Sequence, residues 1–221
     1  MLALGAAPAA AQLAGEIALD SDLRDRGHSL SDGHPVASLT LSYDHPSGLY
    51  LNGSLLGIVK DGDPWILGGQ GSIGYATRVA PGLSLDGGIA RSQFSSAYIR
   101  RPVHYSELYV GLASRIFSGR VYYSPDYYRS GNSVLYGEIE AARDIARNWQ
   151  VNAHLGTLVY LGETPVYFRD QQVDWRVGTA RRFGSYGVHF DVSGTFTGQL
   201  AGPYSANEKK TAVVVGVSRA F

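Results

Sequence analysis

The sequence predicts an all-β fold, a transmembrane up-and-down antiparallel β-barrel of twelve strands. Two observations carry that expectation. Apolar and polar residues alternate with period two along most of the chain, in runs of about 9–13 residues. Strands of soluble proteins average about 5–6 residues, whereas membrane-crossing strands need about 9–11. The segments between the runs alternate short and long, as in a meander whose two ends face different compartments.

Taken in order, the alternation gives strands over 13–23, 35–44, 49–58, 66–78, 83–92, 103–114, 119–128, 133–142, 149–161, 172–182, 185–198 and 211–221. Gly, Pro, Asn, Asp and Ser bound them, the residues that favour turns. The stretch "EIEAARDIARNW" contains helix formers, but it continues the alternation of "SVLYGEIEA" and is expected to be a strand running into a turn. The short connections are "DHPSG", "VAPG", "IFSG", "DIARN" and "FG". The others, from "RGHSLSDGH" and "VKDGDPW" to "QLAGPYSANEKK", are mostly longer. An even strand count places both termini at the short-turn end.

Composition narrows the function classes. The 221 residues carry zero net charge, so no global field favours nucleic acid. There is no cysteine, which excludes disulfides and Cys-ligated metals. No apolar run approaches the roughly 18 residues of a spanning helix. The first eleven residues, "MLALGAAPAAA", are small and apolar and close on an A-x-A pattern, so 1–11 are expected to be the remnant of a signal peptide. Residues 12–221 then form a single outer-membrane barrel domain.

Two faces separate along the strands. Leu39, Leu41 and Tyr43, Leu108, Val110 and Leu112, Leu135 and Ile139, Val151 and Leu155, Val188 and Phe190, and Val213, Val215 and Val217 share one phase. The other phase holds Ser38, Thr40 and Ser42, Gln150 and Asn152, and most of the charges. A soluble sandwich also alternates, with its apolar face inward. Strand length favours the barrel, as do Tyr and Trp near strand ends (Tyr43, Tyr50, Tyr75, Tyr123, Trp149, Tyr160, Trp175), placed as interfacial girdles would be. A closed barrel also pairs every backbone polar group without water. Twelve strands tilted by about 40° give a radius of roughly 12 Å, a narrow channel or a plugged lumen.

The stretch Arg26-Gly27 with Ser29, Ser31 and Asp32, followed by "YDHPSGLYLN" with His45, Pro46, Gly48 and Tyr50, resembles the TorF porin family. "YSELYVGL" (Glu107, Tyr109, Gly111), "VYYSPDYY" and the terminal aromatic fit the same family, so the resemblance runs from about residue 16 to 221. It implies a proteobacterial outer-membrane barrel, more than any particular cargo.

The candidate pore-lining and selectivity residues lie on the polar phase: Arg24, Arg26, Glu107, Arg120, Glu138, Glu140, His154, Asp174, Arg176, His189 and Asp191. Arg24 and Arg26 read either as a basic constriction, since guanidinium suits carboxylate or phosphate, or as a salt-bridge network that fastens strand one. Glu107, Glu138 and Glu140 flank Arg120. They read as an acidic ring that sets ion preference, or as a Glu–Arg–Glu ladder that fills the lumen. About nine acids against four arginines inward predict a mild cation preference. His154 and His189 lack a third metal ligand and a positioned nucleophile, so neither a metal site nor catalysis is expected. The long loops that carry Arg100, Arg101 and Arg169 read as inward folds that narrow the pore, as a ligand site outside, or as exposed loops whose cations suit the phosphates of lipopolysaccharide.

The reading is therefore a porin-like channel for passive diffusion of ions or small polar solutes, without cofactor or metal and not an enzyme. Its partners would be outer-membrane lipids and lipopolysaccharide, and the barrel-assembly machinery, for which Phe221 is the assembly signal. A plugged structural or adhesive barrel is the alternative, and an outer-membrane lipid hydrolase is the third.

Overall fold

In the computed structural model, residues 11–60, 62–95, 103–128, 131–162, 171–196 and 211–221 are described. The expected signal-peptide remnant and the loop arginines Arg100, Arg101 and Arg169 lie outside these residues, apart from Ala11.

The strands are β1 (Gln12–Asp20), β2 (Val36–Asp44), β3 (Leu49–Lys60), β4 (Asp63–Ala80), β5 (Leu83–Phe94) and β6 (Val103–Ser114). They continue as β7 (Phe117–Ser124), β8 (Val134–Ala146), β9 (Trp149–Tyr160), β10 (Gln171–Phe183), β11 (Tyr186–Thr195) and β12 (Thr211–Ala220). Each pairs antiparallel with its neighbours in the chain, and β12 pairs with β1, so the sheet closes into a twelve-stranded barrel with no edge. At the seam Asp20 lies opposite Gly216 and Glu16 opposite Ala220. Beyond it Gly15 and Phe221 exchange both backbone hydrogen bonds at 2.9 Å. The Phe221 ring lies where a Cβ on residue 15 would sit.

The apolar phase forms the outer surface. Leu39, Leu41, Leu108, Val110, Leu112, Ile139, Leu155, Phe190, Val213, Val215 and Val217 are all exposed. Water would penalise so many exposed aliphatic side chains, each contributing about 1.5–3 kcal/mol when buried, whereas a hydrocarbon surround removes the penalty. The solvent-side logic of a soluble core is inverted.

A second apolar layer was not expected. Leu30, Val36, Leu56, Ile58, Leu67, Phe94, Tyr105, Tyr127, Val134, Tyr136, Leu158 and Tyr160 form one buried cluster. Its strand members sit on the inner phase, towards the long-loop ends of their strands. Two connections fold inward to complete it. Residues 21–35 bring in Leu23 and Leu30, and the segment after β7 brings in Tyr127 and Tyr128. Leu67 reaches the interior through a bulge, because the β3–β4 register shifts between Leu56 and Gly57. One extra residue in β4 turns its neighbours to new faces.

Several element expectations change accordingly. "VKDGDPW" is not a long loop: β3 runs to Lys60 and β4 starts at Asp63 and extends for 18 residues. β7 ends at Ser124, so Tyr127 and Tyr128 are not strand residues. β8 runs on to Ala146, and its turn is tightened by Asn148 at φ 64°. Two of the proposed girdle aromatics face inward. Tyr50 donates to Asp86 inside the barrel, and Tyr160 belongs to the inner cluster. Tyr75, Tyr123 and Trp149 stay on the outer surface.

Candidate functional site in the barrel lumen

Next to the inner apolar layer lies a cavity of about 330 Å3, lined by Asp20, Asp22, Asp25, Glu107, Glu138, Glu140, Asp174 and Asp191 with Arg24, Arg26, Arg176, His154 and His189. A second cavity of about 360 Å3 lies against Thr40, Tyr50, Asn52, Ser54, Ser72, Tyr109 and Arg120. Gln70 and Tyr122 line both, so the two cavities meet there. One wall, from β2 to β4, is neutral hydroxyl and amide. The remainder carries the charges, interspersed with tyrosines.

Many lumen side chains lie sideways along the wall, and glycine makes this possible. Arg120 on β7 faces Glu138 on β8 in register, yet its guanidinium turns the other way. It crosses Gly111 on β6 to Asp86 on β5, with contacts of 3.1 and 2.7 Å. A Cβ at Gly111 would overlap both side chains. The Glu–Arg–Glu ladder expected around Arg120 is therefore not formed. Similarly, Asp20 and His189 approach to 3.3 Å across Gly216, where a side chain would strike both. His189 also lies 3.6 Å from Asp191.

Residues 21–35 form the most distinctive part. Arg24 pairs with Ser29 and Asp25 with His28 in a two-pair ribbon. Its turn is Arg26-Gly27, both left-handed at φ 48° and 80°, the mirror-image turn that suits a two-residue hairpin. Asp22 organises the base, accepting from Ser29 and Ser31 and pairing with Arg24 at 3.1 Å. Gly27 packs against Asp174, Gly194 and Thr195 of β10 and β11, leaving no room for a Cβ. Arg26 points the other way, to Glu107 on β6 at 2.6 Å. The ribbon thus spans the lumen from one wall to another.

The Arg26 guanidinium is enclosed by aromatic rings. Its central carbon lies 4.1 Å from the ring centroid of Tyr136, 5.0 Å from Tyr127, 5.8 Å from Tyr122 and 5.9 Å from Tyr105. Burial works against its charge, but Tyr127, Tyr105, Glu107 and Asp25 outweigh this and hold its pKa well above the ordinary arginine value.

Below Arg26, His154 is held between two carboxylates, with Nδ1 3.0 Å from Glu140 and Nε2 2.8 Å from Asp174. Arg176 reaches Glu140 at 3.3 Å, and Tyr122 donates to Glu138. Glu138, Glu140 and His154 are close enough to surround a metal ion. Both nitrogens of His154 already face carboxylates, an arrangement suited to an imidazolium that has no lone pair for a metal.

The structure thus places ten of the eleven candidate residues around the first cavity, and Arg120 beside the second. Arg24 and Arg26 are not on strand one, which ends at Asp20, but on the inward ribbon. Sequence reasoning missed Asp86 and the tyrosines 50, 105, 109, 122, 127 and 136. Four of them were legible by phase: Tyr105 and Tyr109 share parity with Glu107, Tyr122 with Arg120, and Tyr136 with Glu138.

The family described as "Bacterial protein of unknown function (Gcw_chp)" matches residues 5–221. No curated protein matches the chain in sequence. Among solved structures, the chain is similar to the NanC porin at a TM-score of 0.60 and 11% identity, over 94% of this chain and 99% of that one. The KdgM porin, solved in complex with disordered oligogalacturonate, gives 0.57 and 12%, over 94% and 99%. The COG4313 outer membrane channel of Pseudomonas putida F1 gives 0.53 and 10%, over 98% and 97%. These likenesses establish the fold, that of outer-membrane channel barrels.

Proposed function

The chain belongs to the Gcw_chp family, whose description assigns no function, and we propose that it is a narrow outer-membrane channel for passive diffusion of small cations and polar solutes. One observation carries this reading: two polar cavities meet inside a closed barrel, and eight carboxylates against three arginines line the first. An excess of fixed negative charge in a narrow, low-dielectric passage concentrates cations and repels anions. The TorF porin resemblance points the same way, as does the fold shared with channel barrels. In this reading the short turns face the periplasm and the long loops the exterior. Lipids and lipopolysaccharide surround the barrel, and the assembly machinery reads Phe221.

A second reading has its own support. The inward ribbon and Tyr127 complete an apolar layer across the long-loop end, which favours a plugged barrel acting through its loops. Catalysis has less support, because both nitrogens of His154 face carboxylates and the hydroxyl beside its Nε2, at 3.2 Å, is that of Tyr136 and not of a serine. Planar-bilayer recording separates the readings. Discrete current steps with a cation-biased reversal potential are expected of the channel, and a pure, folded protein that passes no current would sink it.

A further inference from the structure

The Arg26 surroundings form a binding site that the chain fills with its own side chain. Four tyrosine rings from β6, β7, β8 and the segment after β7 enclose one cation, and Glu107 supplies its counter-charge. Aromatic faces with a carboxylate recognise guanidinium and ammonium groups through the ring quadrupole and a charge-assisted hydrogen bond. The fit of Arg26 is incomplete, since Nη1 is buried without a hydrogen-bond partner and so is Asp25 Oδ2 beside it. The ribbon that carries Arg26 is hydrogen-bonded as strand only to itself, by two residue pairs. It can withdraw without breaking a barrel ladder. Arg26 also holds a left-handed conformation, which a residue with a Cβ adopts at a cost. The acidic cavity opens directly onto the site and would bring cations to it.

We propose that this tyrosine–glutamate cage is a recognition site for the guanidinium or primary ammonium group of a solute. Arg26 occupies it at rest, and an arriving solute displaces Arg26 and withdraws the ribbon from the lumen. The route by which the solute arrives rests on the channel reading, whereas the site itself does not. A ligand that binds only the withdrawn state shifts the population towards it.

The probe is agmatine, which carries both groups, with neutral urea as the shape-matched control. The chain has no cysteine, so Asp25→Cys places one thiol on the ribbon of the full-length barrel in detergent. Millimolar agmatine should speed maleimide labelling of that thiol at least fivefold, and urea at the same concentration should not. In calorimetry, Arg26→Ala should bind agmatine at least tenfold more tightly than the unmodified barrel, and adding Glu107→Gln should remove that gain. Labelling that ignores agmatine, or that answers equally to urea, overturns the proposal. So does an Arg26→Ala protein that binds no better than the original. If Arg26→Ala does not fold, the labelling result decides alone. A barrel that passes no current yet labels faster with agmatine would end the channel reading and leave the site standing.

Discussion

The Tyr50 and Tyr109 hydroxyls meet at 2.7 Å although two strands lie between them. At that level both intervening strands carry glycine, Gly74 on β4 and Gly88 on β5. A Cβ at Gly74 would overlap both phenols, and one at Gly88 would overlap the Tyr109 hydroxyl and the Ile73 carbonyl. Tyr50 also donates to Asp86, the partner of Arg120. One row of side chains thus runs round part of the wall, from β3 to β7.

Gly74→Ala is therefore expected to destabilise the barrel more than Tyr50→Phe does. The alanine forces two phenols apart, an overpacking effect of about 1–3 kcal/mol. The phenylalanine removes two hydrogen bonds, to Asp86 and Tyr109, each worth about 1 kcal/mol, and the alanine breaks the second of these as well. Urea unfolding followed by tyrosine fluorescence checks the order, and equal midpoints would show that the row does not rest on the glycine.

Removing one partner of a buried ion pair strands the other charge. Arg26→Met should cost about 3–5 kcal/mol, whereas Arg26→Met combined with Glu107→Gln should cost less than the single change. The comparison is a double-mutant cycle in urea. Strict additivity would mean that the 2.6 Å contact contributes little to stability.

Glu138→Gln with Glu140→Gln should lower cation preference, moving the reversal potential in a salt gradient towards zero. An unchanged reversal potential would make these acids structural.

Arg120→Gln should act in the opposite direction. Its side chain is 41% exposed but Asp86 is buried, so its loss strands a carboxylate that keeps only the Tyr50 hydroxyl, and stability falls as well. Cation preference should rise, with single-channel recording as the measure. A fall would mean that Arg120 holds the wall open.

The two faces of the barrel were legible because a strand has a period of two and the solvents on its two sides differ. The inward set around His154 and His189 followed from that, and strand count and closure from the length of the runs and the turn residues between them. The partner of Arg120 was not legible, because register places Glu138 opposite it and only the open space at Gly111 explains the turn towards Asp86. Nor could alternation reveal which loop turns inward. "RGHSLSDGH" has the composition of an exposed loop, and Asp22, Ser29 and Ser31 satisfy one another only once it has folded back. Tyr50 and Tyr160 misled for a related reason. Tyrosine near a strand end serves a membrane interface or a buried row equally well, and phase distinguishes the two better than position does.

The seam between Gly15 and Phe221 also dictates timing. The pairing that removes the last sheet edge joins the first and last strands of the barrel, so closure waits until both are in place. Until then the first strand offers an unpaired row of amides, a template for wrong partners. Contacts this distant in sequence form slowly. The barrel is thus committed to a long open-edged stage in its life, during which something other than its own fold must keep it from aggregating.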